Sequence, residues 1–283
     1  MPIPKMKPPG KLAMNVARCN HGPVTAEWLQ RDLAALGVRP GTLLMVHTSI
    51  SALGFLAGGP ETVLGALRAA VGETGTLVLP AFHWQNSEPS HWTDPPVPES
   101  WWPAIRDETS GYDPKTSPID PELGHIPLLF KQLPDVLRSA HPSVSWCAQG
   151  PLAQQVTAGH ELAWGLDDRS PLGRCYDCDG WVLSLGCKRT TILHLAESRS
   201  DWARRHLRIS GSRMLQGGES RWVEYETVDD TDKDFEQLRL DYLAQAESGD
   251  FAEGPTGYGT SRLLRVRPLV DFAVPWFNSH RLD

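Results

Sequence analysis

Residues 42–80 constrain the fold more than any other part of the chain. TLLMVH (42–47) is a short, almost wholly apolar run, PETVLGALRAAV (60–71) opens with Pro60 at a first-turn helix position, and TLVLP (76–80) is strand-like again. Strand, loop, helix and strand in that order are the pattern of a parallel pair joined by a crossover helix. Strands that lack polar alternation are buried on both faces. The chain therefore reads as α/β. Upstream, TAEWLQRDLAALG sets Ala26, Leu29, Leu33 and Leu36 at helical spacing, with Thr25 as N-cap and Gly37 as stop. Downstream, HIPLLFKQL (125–133) and PLAQQVTAG (151–159) read as short helices, WVLSLG (181–186) as a buried strand, and TTILHLAESRS (190–200) as the helix that follows it. The remainder, 206–283, holds the alternating RWVEYETV, an acidic DDTDKDF run, a helix-like FEQLRLDYLAQAE and RLLRVRPLV, read as a final strand. No internal repeat and no second domain boundary is visible.

Two stretches depart from this pattern. Residues 1–22 carry Lys5, Lys7, Lys11 and Arg18 without an acidic residue, and prolines at 2, 4, 8 and 9 oppose a helix, so they read as a basic arm on a single domain, 23–283. Residues 81–118 place Trp84, Trp92, Trp101 and Trp102 among seven prolines, which reads as a loop insertion without regular structure. Its tryptophans either form a satellite core or line a substrate cleft.

Charge and cysteine usage narrow the function classes. With 27 Lys plus Arg against 34 Asp plus Glu, the net charge of −7 argues against non-specific nucleic-acid binding and is compatible with a cationic small molecule. A hydrophobic fraction of 40% describes a soluble globular domain rather than a disordered chain. No apolar run approaches the roughly 20 residues of a membrane span, and the N-terminus lacks a signal-peptide block, so a cytoplasmic address is expected. Five cysteines do not make a disulfide framework, and free thiols are expected.

Four constellations could carry chemistry. The loop VHTSISALGFLAGG (46–59) offers backbone amides, the hydroxyls of Thr48, Ser49 and Ser51, and the next helix's N-terminus as a cradle for phosphate oxygens, or it is an ordinary polar turn. His194 and Glu197 stand three apart on one helix face; a first-turn position would disfavour imidazolium and leave the imidazole free as a base, while Glu197 orients it or pairs with Arg199 or Arg204. His141 and Cys147 invite a thiol nucleophile, and Cys175, Cys178 and Cys187 with His160 invite zinc, against buried thiols as the plain alternative. Last, Glu224, Glu226, Asp229, Asp230, Asp232 and Asp234 are a solvated face, or with Glu88 or Asp120 line a cleft for ammonium groups.

Read in order, LGVRPGTLLMVHTSISALG, GGPETVLGALRAAVGETGTLVLP, YDPKTSPIDPELG, RSAHPSVSWCAQGP, DGWVLSLG and TTILHLAE resemble the aminoglycoside N-acetyltransferase family that uses acetyl-CoA. That family is unrelated in fold to the common N-acetyltransferase superfamily. The resemblance implies a three-layer α/β/α fold around a mixed, largely parallel sheet. It implies acetyl-CoA held by His47, Thr48, Ser49, Ser51, Leu53, Gly54, Ser117, His141 and Ser145, with no metal. His194 would be the general base, with Glu197, Asp229 or Asp230 as its orienting carboxylate. Trp84, Asn86, Glu88, Asp120, Asp229 and Asp230 would meet the antibiotic, in the 81–118 insertion and the substrate-side portion 206–283. The expected reaction is 3-N-acetylation of a 2-deoxystreptamine aminoglycoside. Because Asn86, Ser87 and Glu88 stand where some relatives carry neighbouring aspartates, 2′-N-acetylation of kasugamycin is the alternative, and a cysteine enzyme built on Cys147 and His141 a more distant one.

Overall fold

The apolar run after Thr42 becomes the middle strand of a seven-stranded mixed sheet. The structure is a computed structural model and describes residues 11–282. Its elements are α1 (Lys11–Arg18), α2 (Ala26–Leu36), β1 (Leu43–Thr48), α3 (Pro60–Val71), β2 (Thr76–Pro80), α4 (Trp102–Glu108), α5 (His125–Lys131), β3 (Leu137–Arg138), β4 (Trp146–Gln149), α6 (Ala153–Thr157) and α7 (Pro171–Asp177). They continue as β5 (Trp181–Leu185), α8 (Leu193–Arg199), α9 (Asp201–Arg205), β6 (Leu207–Gln216), β7 (Glu219–Val228), α10 (Phe235–Leu243), β8 (Phe251–Thr256), β9 (Gly259–Arg265) and α11 (Val266–His280).

The sheet order is β3-β4-β2-β1-β5-β9-β8. β1 runs parallel to β2 and β5, with Met45 opposite Val78 on one side and Val182 on the other. The pairings outside these three strands are antiparallel, so parallel character is confined to the centre of the sheet. That centre is the core: Leu44, Met45, Val46, Leu77, Val78, Leu79, Val182 and Leu183 are buried, each such side chain contributing about 1.5–3 kcal/mol. Helices α2, α3 and α5 pack together, as do α6, α7, α8, α10 and α11, giving a three-layer α/β/α arrangement. The α2 boundaries follow the expected chemistry, since the Thr25 hydroxyl accepts from the Trp28 amide and Gly37 closes the helix at φ 112°.

Three elements correct the sequence reading. The arm contains a helix, α1, because its prolines precede Lys11 and lie outside the described residues, while KLAMNVAR holds no breaker. The Trp- and Pro-rich insertion contains α4, with Pro103 in a first turn where no intrahelical N–H is needed. RLLRVRPLV leaves the sheet at Arg265 and continues as α11, which buries Val266, Leu269, Val270, Ala273, Trp276 and Phe277 at helical spacing and supports α8. Pro268 again falls in a first turn.

β6 and β7 form a separate antiparallel ribbon. It turns at Gly217 (φ 60°) and Gly218 (φ 87°), the pair of positive φ values that a two-residue type I′ turn requires. Asn86 ties the ribbon to the body: its carboxamide accepts from the Arg213 amide (2.7 Å) and donates to the Arg213 carbonyl (2.9 Å), as a neighbouring strand would. No helix among the described residues is long and apolar enough to cross a membrane.

Candidate active site

In open α/β sheets ligands bind beyond the carboxyl ends of parallel strands, where successive connections diverge. Here that crevice is a cavity of about 520 Å³. The end of β1 supplies Val46, His47, Thr48 and Ser49, the end of β2 supplies Pro80, and the segment after β5 supplies Cys187, Lys188, Arg189 and Thr190. Asp232, Phe235 and Glu236 close one side and Glu122 and Leu123 another. Lys188 pairs with Glu236 at 2.9 Å, whereas Arg189 has no ion-pair partner among the described residues.

His194 lies in the first turn of α8, behind Phe235, whose ring centroid is 4.7 Å away. Its Nδ1 is 2.6 Å from Glu197 Oε2 and 3.7 Å from Asp230 Oδ2. Glu197 is 1% exposed and held rigidly: Oε1 accepts from the Thr231 amide (3.0 Å) and from Arg281 (2.5 Å). Arg281 in turn pairs with Asp234 and lies 4.2 Å from the Phe277 ring centroid and 4.5 Å from that of Trp202. A carboxylate on Nδ1 leaves Nε2 for a reacting group. Burial by itself lowers the His194 pKa, but the Glu197 hydrogen bond and the carboxylates of Asp230 and Asp232 outweigh it, and the net shift is upward. The expectation that a helix N-terminus would disfavour imidazolium is thus reversed by the carboxylates gathered around the ring.

A second cavity of about 570 Å³ adjoins the first at Glu122. It is lined by Trp84, Trp92, His91, Asp94, Asp120 and Arg208, among others. The insertion's tryptophans therefore divide: Trp84 and Trp92 form the wall, while Trp101 is exposed away from it. Burial raises the Asp120 pKa although Oδ2 accepts from the Trp84 amide.

Other candidates are placed differently. Glu88 pairs with Arg106 at 2.5 Å and caps Ser90, and Asn86 is occupied by the β6 backbone. Asp229 pairs with Arg208 at 2.6 Å, so Glu197, with Asp230 behind it, is the carboxylate that meets His194. Ser51 is exposed on a turn; Leu53 is fully buried, and Gly54 packs so tightly that a Cβ would meet the Tyr258 ring at 2.6 Å. The Ser117 hydroxyl accepts from the Asp113 amide, and Ser145 donates to the Ala81 carbonyl. Neither these nor His141 lines the cavity.

His141 is a packing residue. Its Nδ1 accepts from the amides of Ser143 (3.2 Å) and Val144 (3.1 Å), and Nε2 meets the Leu162 carbonyl at 3.2 Å. No nitrogen remains for Cys147, whose thiol is buried in β4 with its pKa pushed up to about 11, the opposite of what a thiol nucleophile needs. His160 is likewise held by Ser139 (2.8 Å) and the Gly165 carbonyl (2.7 Å), which removes the histidine from the suggested zinc set. Among the described residues, the donors compact enough to close on a cation are those of His194, Glu197 and Asp230, all within 4.8 Å. Arg281 and the Thr231 amide already account for Glu197's position, and the His194 hydrogen bond for the pairing.

Three histidines are buried neutral, with consequences for acid stability. Burial pushes His160 down to about 4 and His47 to about 3, and His141 well below its ordinary value of 6.5. The unfolded chain protonates these groups near 6.5 and the folded chain does not, so stability falls as pH drops below that value. His160 and His47 should each remove about 2 kcal/mol by pH 5, opposed by His194, whose raised pKa favours the folded state there. Urea midpoints at pH 7.5, 6 and 5 test this, and an unchanged midpoint would show that these rings are not held neutral.

Arg281, which reaches the site through tertiary packing, carried no signal in local sequence, and the contacts of Thr231 and Arg189 were not expected either. A helix that binds one carboxylate rigidly against an imidazole, beside a cleft at strand ends, is the arrangement of an enzyme, and its relatives make it an acyltransferase. The chain belongs to the family described as aminoglycoside 3-N-acetyltransferase, whose model matches residues 45–278. It is 37% identical over 272 residues to aminoglycoside N(3)-acetyltransferase VII of Streptomyces paromomycinus, covering 90% of this chain and 92% of that one. It is 34% identical over 257 residues to the SPbeta prophage-derived aminoglycoside N(3′)-acetyltransferase-like protein YokD of Bacillus subtilis (strain 168), covering 90% and 93%. The YokD crystal structure superposes with a TM-score of 0.90, covering 95% of this chain and 98% of that one at 32% identity. AAC-IIIb in its binary complex with CoASH gives 0.79 at 29% identity, covering 91% and 97%.

Proposed function

We propose that the protein transfers the acetyl group of acetyl-CoA to an amino group of an aminoglycoside, with His194 as general base and Glu197 as its orienting residue. The observation that carries this reading is the 2.6 Å contact between His194 Nδ1 and a carboxylate that is itself fixed by Arg281 and Thr231. An amine at neutral pH is mostly ammonium, and a positioned imidazole that removes its proton contributes about 10²- to 10⁴-fold. Glu197 on Nδ1 fixes the tautomer that leaves Nε2 free to act on the amine. Holding both substrates together supplies the rest of the acceleration through proximity.

The two cavities offer different groups to the two ligands. Arg189, without an ion-pair partner among the described residues, and the hydroxyls of Thr48 and Ser49 suit an anionic nucleotide, as the relative AAC-IIIb is seen in a binary complex with CoASH. Asp94, Asp120 and Glu122 beside the Trp84 and Trp92 rings suit ammonium groups on a sugar scaffold. The name of the Streptomyces paromomycinus relative, an aminoglycoside N(3)-acetyltransferase, supports the N(3) position of an aminoglycoside as acceptor, in our reading that of a 2-deoxystreptamine ring. Kasugamycin is the second reading, favoured because Glu88 is neutralised by Arg106 and Asn86 is held by backbone, which leaves fewer carboxylates for a polycation.

Incubation with acetyl-CoA and, separately, kanamycin, gentamicin, apramycin and kasugamycin tests the proposal through release of CoA thiol. Release with the 2-deoxystreptamine drugs supports the first reading, and release with kasugamycin alone supports the second. No release across the panel from a folded protein that binds CoA overturns both.

A further inference from the structure

At the end of β1, His47 is 3% exposed, lines the first cavity, and buries an Nε2 with no hydrogen-bond partner among the described residues. A buried nitrogen left unpaired is destabilising. Trp146 meets the ring edge-on with centroids 6.0 Å apart, and its own Nε1 is likewise buried without a hydrogen-bond partner among the described residues. Burial, then the nearby charges of Arg189 and His194, hold the ring uncharged. It therefore serves neither as a cation for phosphate nor as a base near neutral pH. What remains is a neutral N–H donor, the kind of group that polarises a carbonyl without surrendering its proton. Its position fits that task, since it sits on the cavity wall next to Thr48 and near enough to His194 for a charge there to oppose one on His47.

We propose that His47 donates a hydrogen bond to the thioester carbonyl oxygen of acetyl-CoA and stabilises the negative charge that develops there during transfer. This rests on the acetyl-CoA reading of the first cavity. In the step itself, the amine nitrogen bonds to the carbonyl carbon and the carbonyl π pair moves onto oxygen, where His47 donates. The pair then returns, the carbon–sulfur bond breaks, and CoA leaves as thiolate. His194 takes the proton from the attacking nitrogen and delivers it to that sulfur. The two imidazoles thus divide the work between the oxygen and the proton.

The test uses acetyl-CoA labelled with ¹³C at the carbonyl, bound to the whole protein without antibiotic and read by difference infrared spectroscopy. In the wild-type protein the bound carbonyl stretch should fall below its value in water, and His47→Leu should abolish the additional lowering. In turnover, His47→Leu should lower kcat by about 10²- to 10³-fold with KM for acetyl-CoA changed less than about threefold, and His47→Gln, which keeps an N–H donor, should recover part of the loss. Should His47→Leu not fold, ¹⁵N-histidine spectra of the wild-type protein decide: the His47 N–H proton moves downfield with acetyl-CoA and not with CoA, which lacks the carbonyl. An unshifted stretch in the wild type, a folded His47→Leu with wild-type stretch and kcat, or identical His47 signals with both ligands overturns the assignment. Failure of the wild-type protein to bind acetyl-CoA in calorimetry overturns the cofactor reading itself, a result distinct from the others.

Discussion

His194→Ala is expected to lower kcat for acetyl transfer by about 10²- to 10⁴-fold while binding of acetyl-CoA is retained. Glu197 keeps Arg281 and the Thr231 amide on Oε1 when the imidazole is gone, so its charge stays paired. Thermal unfolding of the variant should therefore remain close to wild type. The pH dependence gives a second readout. Because the carboxylates around His194 hold its proton more firmly than an ordinary histidine's 6.5, kcat/KM should rise with pH along a limb centred above that value. Full activity in His194→Ala, with CoA release dependent on antibiotic, would remove the imidazole from the mechanism.

Arg281→Met is expected to have the largest effect on stability. Arg281 is nearly buried and binds two carboxylates, Glu197 and Asp234, as well as the Thr231 carbonyl at 3.0 Å. Methionine fills part of the volume against Trp202 and Phe277 but leaves Glu197, 1% exposed, without its cation. Breaking a buried pair from one side costs about 3–5 kcal/mol. In a chain of this size that corresponds to a fall of roughly 5–15 °C in melting temperature. Activity measured well below the transition should also drop, because a mobile Glu197 no longer fixes the His194 tautomer. The double variant Arg281→Met with Glu197→Gln separates the two effects: it should recover stability, since the stranded charge is gone, without recovering kcat. Equal melting temperatures for wild type and Arg281→Met would contradict the buried-pair account.

The parts of this molecule that were legible in sequence are those whose causes are local. The runs at 42–47 and 76–80 and the caps at Thr25 and Gly37 carry their structure in adjacent residues, and the α2, α3, β1 and β2 boundaries lie within a residue of the expected positions. His194 and Glu197 were legible for the same reason, being one helical turn apart. Arg281 was not, because it reaches Glu197 across 84 positions of sequence. Glu88 reads as a free carboxylate until Arg106 folds back onto it from α4, a helix hidden by the prolines around it. The passage from β9 to α11 fails differently: Leu263 to Val270 is apolar enough for either state, and only the far side of the run, where Ala273, Trp276 and Phe277 continue the helical face, decides it.

The two cavities meet at Glu122 but are made of different material. One is built at the ends of the central parallel strands β1, β2 and β5; the other is lined mainly by residues 84–97 and the start of the β6–β7 ribbon. Heritable change therefore meets unequal resistance at the two ends of the reaction. On the proposed reading, residues facing acetyl-CoA sit where the buried strands end and are tied to foldability, whereas exposed positions of the 84–97 loop, as distinct from buried Asn86 and Glu88, can be exchanged at smaller thermodynamic penalty. If that division holds, the surface proposed to meet the antibiotic can be rewritten while the strand-end cavity and His194 stay as they are.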